Sequence, residues 1–136
     1  MRRTMILFAC SLSSISCNAD GERLTVPPLP QDGSPLPYAQ VLSRLAAQTN
    51  SAKEEHFLNH WDGVVEAATA LERSNSYLLK APDLSPAHKA TIEKTSGEIN
   101  GEIIKLRDAA RRKDQTESLE LIRLLHNQIR DLQDLK

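Results

Sequence analysis

Apolar residues fall in four runs along the chain, and each run has the spacing of a helix face rather than of a strand. The last run is the clearest. Ser118, Ile122, Leu125, Ile129 and Leu132 recur at alternating steps of four and three, and Leu121, Leu124 and Leu135 widen the stripe. No Gly or Pro interrupts residues 114–135. Asp114 and Glu117 open the segment as a capping pair, with Asp where Ser or Thr is usual. A helix this apolar on one side is not stable alone in water, so the other segments must cover it.

The earlier runs supply that cover. Tyr38, Val41, Leu42, Leu45, Thr49, Ala52 and His56 form one stripe, beginning at Pro37, which suits a first helical turn, and ending near Phe57. A break falls at Leu58-Asn59, with Asn59 as cap. A second helix is expected from His60 to Lys80, burying Trp61, Val64, Val65, Ala68, Leu71, Leu78 and Leu79 and stopped by Pro82. A third starts with Ser85 as cap and Pro86 in the first position; Ile92, Ile99, Ile103, Leu106 and Ala110 carry its seam to about Arg112. Gly97 and Gly101 lie inside it, each costing about 1 kcal/mol relative to Ala. They either admit a closely packed neighbour or are tolerated surface positions. The short connections make helices one and two, and helices three and four, antiparallel neighbours. The expected fold is all-α, an antiparallel up-down-up-down four-helix bundle over residues 38–135.

The residues before that domain are of another kind. Arg2 and Arg3 precede a short apolar stretch, Met5–Ala9, as in a signal peptide spanning residues 1–16. The stretch falls short of the roughly 20 apolar residues that cross a bilayer. Ser14-Ile15-Ser16-Cys17 resembles a bacterial lipobox, in which Cys17 is lipidated and becomes the new N-terminus. Ordinary cleavage near Ala19 is the alternative. Pro27, Pro28, Pro30, Pro35 and Pro37 then mark residues 17–37 as a disordered, Pro-rich tether. The expected location is exported: the periplasm or the cell envelope, held to the membrane by an anchor at Cys17.

Composition narrows the function. At 136 residues the chain has room for one domain, and 4% aromatics with 5 glycines favour helix over sheet. The net charge of −1, falling to −3 once Arg2 and Arg3 are removed, with scattered basic residues, excludes nucleic acid as a partner. Acylation of Cys17 would leave the mature domain without a free thiol, excluding thiol chemistry. No Ser/His/Asp order, Gly-rich phosphate loop or pair of inward carboxylates is present, and the chain is not expected to be an enzyme. Arg123 and Ser85 stand three residues before His126 and His88, where a di-iron bundle has Glu. His56 and His60 have a spacing that suits zinc or copper on one helix face, but the break between them separates them, and no metal site is expected. Trp61 is expected to cap one end of the core, with a partner-facing role as the alternative.

His126 and Arg130, four residues apart in the last helix, are the remaining chemical feature. His126-Asn-Gln-Ile-Arg130, late in the last helix of an exported bundle, resembles the haem-binding helix of the cytochrome c-prime family and of the small periplasmic b-type cytochromes. The resemblance implies that His126 ligates haem iron and that Arg130 faces a propionate. Ile122 and Leu125 stand where c-type members have Cys, so the implied group is a non-covalent haem b. The chain departs further in having Ile129 where an aromatic is usual, Leu42 and Leu45 at the facing positions, and no Met after the signal segment. Two functions follow. One is a non-catalytic binding or structural module of the envelope with a protein partner; the alternative is a haem-binding electron-transfer or carrier protein using His126. A seam filled by Leu and Ile is that of a packed core and favours the first.

Overall fold

The computed structural model describes residues 26–135. Cys17, the expected signal peptide and the first part of the expected tether lie outside them. The helices are α1 (Tyr38–Phe57), α2 (Trp61–Asn75), α3 (Lys89–Arg111) and α4 (Gln115–Asp134), with a 3₁₀ turn at Leu78–Lys80. No strand occurs among the described residues, and no helix there is long and apolar enough to cross a membrane. Each helix packs on its chain neighbours, and α4 also packs on α1, which is consistent with a four-helix bundle.

The expected stripes meet in one core. Leu45, Leu71, Ile99, Ile103, Leu106 and Leu125 are completely buried. Burying an aliphatic side chain of this size contributes about 1.5–3 kcal/mol, so these residues dominate the stability of the fold. Two predicted members of the core are not in it: Leu79 and Leu124 are exposed.

Two helix boundaries differ from the sequence expectation. α2 stops at Asn75 rather than Lys80. Ser76 Oγ donates to the carbonyl of Arg73 at 2.7 Å, and Asn75 turns its amide to α3, where it donates to the carbonyl of Ser96 at 2.9 Å. Ser and Asn side chains that bond to backbone groups in this way favour ending a helix. α3 begins at Lys89 rather than at Pro86; residues 86–88 form a separate turn in which His88 N–H donates to the carbonyl of Ser85.

The connections α1–α2 and α3–α4 are built alike. Asn59 and Lys113 both take left-handed backbone, at φ 56° and 57°. At the first, the N–H groups of Asn59 and His60 bond back to the carbonyls of His56 and Glu55; at the second, those of Lys113 and Asp114 bond to Ala110 and Ala109. This is the Schellman arrangement, which satisfies the last carbonyls of a helix. Asp114 then caps α4 by accepting from Glu117 N–H at 3.0 Å. The reciprocal half of the expected capping box is missing, because the Glu117 carboxylate pairs with Arg112 instead.

α1 is tied down from outside its own sequence. Asp83, in the α2–α3 connection, accepts from the Tyr38 N–H at 2.7 Å, and the Tyr38 hydroxyl donates to the carbonyl of Leu132 at 3.1 Å. Burial raises the Tyr38 phenol above its ordinary pKa of 10.0. Residues 26–37 carry no helix or strand. Leu36 nevertheless packs against the core, and the buried Arg44 guanidinium donates to the carbonyl of Pro27.

Candidate functional site

A groove of about 430 Å³ opens between α1 and α4. Thr49, Asn50, Lys53 and Phe57 line it from α1, and Leu119, Ile122, Arg123, His126 and Asn127 line it from α4. Each set follows the three- and four-residue spacing of a single helix flank, one step around from the buried stripe. Thr49 and Ile122 belong to both stripe and flank: they are almost fully buried and form the inner wall. Phe57 forms the outer wall with 65% of its surface exposed, and Lys53 Nζ stands 5.9 Å from its ring centroid.

Basic groups border this wall. Lys53, Arg123 and His126 line the groove, and no carboxylate does. Neither Lys53 nor Arg123 forms an ion pair among the described residues. Asn50 and Asn127 add amides that can donate or accept. Such a set can hold an anionic head and cover an apolar body. Thr49 supplies the one hydroxyl among the lining residues, and it donates to the carbonyl of Leu45 at 2.8 Å.

The structure distributes the predicted site residues unevenly. His126 is exposed on the groove side of α4; Arg130 is exposed one turn further on and does not line the groove. The imidazole therefore does not point into the packed interior. Leu42 and Leu45, expected to face it, are buried core residues. Lys53, Phe57 and Arg123 were not singled out by the sequence reading; their only signal is helical spacing on two segments that are distant in the chain.

His56 and His60 part company at the α1–α2 turn. His60 is exposed, with Nδ1 3.3 Å from Glu55 Oε2. His56, the last member of the expected α1 stripe, is only 2% exposed. Its Nε2 lies 2.9 Å from the carbonyl oxygen of Gln115 at the start of α4. A carbonyl can only accept, so Nε2 carries the proton in this bond. Nδ1 is buried without a partner. The ring packs edge-on against Trp61, centroids 5.6 Å apart, and against Phe57 at 6.1 Å. His56 thus braces the turn from which Phe57 projects beside the groove. Its signal in the sequence was its place on the α1 stripe, four residues after Ala52. Among the described residues no three His, Cys, Asp or Glu side chains gather as a metal site would require.

Compared with protein-family models and with curated proteins, the chain finds no match in either.

Proposed function

We propose that this chain is a non-catalytic binding module of the cell envelope, an up-down-up-down antiparallel bundle that receives its ligand in the α1–α4 groove. The direction of the helices is supported by paired contacts. The start of α1 meets the end of α4 through Tyr38 and Leu132, and the end of α1 meets the start of α4 through His56 and Gln115. Asn75 with Ser96, and Glu72 with Arg107, relate α2 to α3 in the same sense. Export and anchoring rest on the signal-like segment at residues 1–16 and on Cys17. The observation that carries the binding role is the contrast between a core filled by Leu and Ile and a recess bordered by unpaired cations.

The test is a small-molecule fragment screen read by amide chemical shifts of the purified protein. Ligands are expected to move amides in residues 49–57 and 119–127. A screen in which no fragment moves them overturns the reading.

The alternative, a haem b protein using His126, has one observation in its favour: the imidazole borders the groove. The remaining residues do not fit a haem. The apolar lining is limited to Phe57, Leu119 and Ile122, Arg130 lies off the groove, and the interior beside Leu42 and Leu45 is packed. Haemin titration is expected to give no Soret band that depends on His126. A band lost in His126→Ala would establish the alternative.

A further inference from the structure

The lining of the groove is biased in a way the whole chain is not. The sequence holds 17 Lys and Arg against 18 Asp and Glu. The groove nonetheless has Lys53, Arg123 and His126 on its border, with no acid among its lining residues. Uncompensated cations beside a low-dielectric wall attract an anion more strongly than the same charges in open water. The wall itself, with Phe57 65% exposed, leaves apolar surface in contact with water. Covering such surface is worth about 25 cal/mol per Å². One occupant must therefore satisfy both halves.

Size separates the classes of occupant. A volume of about 430 Å³ sits within the roughly 300–1,000 Å³ of small-molecule sites. The lining spans eight residue steps on each helix, about 12 Å at 1.5 Å per residue. A stable protein partner would need about 800 Å² on each side, far more than this recess offers.

We infer that the α1–α4 groove binds a small amphiphilic organic carboxylate. The alkyl or aryl body lies against Phe57, Leu119 and Ile122. The carboxylate accepts from the planar guanidinium fork of Arg123, the side chain best shaped to hold it bidentately, with Lys53 and His126 flanking. This rests on the binding-module reading and gives it a ligand class.

The test uses decanoate below its micelle concentration, with decanol and decyltrimethylammonium as controls, followed by amide shifts of the purified protein. Decanoate is expected to move residues 49–57 and 119–127. Arg123→Gln is expected to weaken its binding about tenfold or more, the effect of losing a charge-assisted hydrogen bond. The paired Lys53→Gln and Arg123→Gln variant is expected to weaken it further. Decanol or the ammonium compound binding as tightly as decanoate, or decanoate binding indifferent to Arg123→Gln, overturns the carboxylate assignment while leaving a binding groove in place. If none of the three compounds moves these residues, while other fragments do, the ligand class alone fails; if no fragment does either, both readings fail.

Discussion

The inner face of α4 and its α1-facing flank use the same twenty-residue helix for opposite ends. The inner face carries Ser118, Leu121, Ile122, Leu125, Ile129 and Leu132, all buried. The flank, one residue around, carries Leu119, Arg123, His126 and Asn127 beside an open recess. A side chain moved by one position turns by about 100°, so Leu125 and His126 are neighbours in sequence with unlike surroundings. The difference shows where each property of the molecule resides. Stability comes from the face that excludes water, and the recognition proposed above would use the face that leaves cations unpaired.

The strongest challenge to that division is a cavity in the interior. Leu125→Ala removes most of a fully buried side chain and is expected to cost about 2–5 kcal/mol by chemical denaturation. Decanoate affinity of the fraction that remains folded is expected to hold. A loss of less than about 1 kcal/mol would mean that Leu125 is not part of a tightly packed core.

His56 sits between the two regions, so its replacement sharpens the boundary. In His56→Leu the volume is roughly kept, but the Gln115 carbonyl loses the imidazole N–H at 2.9 Å. The expected cost is about 1–3 kcal/mol, the usual range for removing one partner of a buried hydrogen bond. The single tryptophan, Trp61, packs on this ring. Its fluorescence is expected to shift in the folded variant, and unchanged emission together with unchanged stability would remove His56 as a brace.

Tyr38 tests the interior from the opposite end of α1. Its folded pKa is raised by burial, so the unfolded chain loses the phenolic proton first as pH climbs past about 10. The unfolded state then binds fewer protons, and stability falls with rising pH until the folded phenol also ionises. Tyr38→Phe is expected to abolish that alkaline decline and, near neutral pH, to cost about 0.5–1.5 kcal/mol for the lost bond to Leu132. Denaturation curves at neutral and alkaline pH check both; an equal alkaline decline in the variant contradicts the assignment.

Exposed positions should behave differently again. A Cβ added at Gly97 would meet nothing within 4 Å, so Gly97→Ala is expected to stabilise by about 0.5–1 kcal/mol through helix preference alone. Destabilisation would show that a neighbour covers this side of α3. Smallest of all, Arg123→Gln is expected to change stability by no more than about 0.5 kcal/mol, as exposed substitutions do. A larger loss would make Arg123 part of the scaffold, and its effect on binding could not then be separated from folding.

The interior was largely legible from sequence because helical periodicity alone marks it. The stripes on α1 and α4 give bounds within a residue or two of Tyr38–Phe57 and Gln115–Asp134. The end of α2 was not, because Leu78 and Leu79 continue the apolar period while Ser76 and Asn75 stop the helix through local and cross-helix bonds. The groove was legible only in part. His126 stood out as an isolated histidine, yet its environment is set by α1, and nothing in the sequence puts Lys53 and Phe57 beside Arg123. That adjacency is created by tertiary packing of α1 on α4. The burial of His56 was legible from its place on the α1 stripe, but its bond to the Gln115 carbonyl was not, because that partner comes from α4.

Methyl spectra of Leu, Ile and Val recorded during titration with decanoate and, separately, with haemin test most directly whether a guest stays outside the core. Signals of Leu119 and Ile122 are expected to move with decanoate, while those of Leu45, Leu71, Ile103 and Leu125 stay in place with both compounds. Movement or paramagnetic broadening of that buried set at low ligand concentration would show that the interior opens to a guest, contradicting the separation of core from groove.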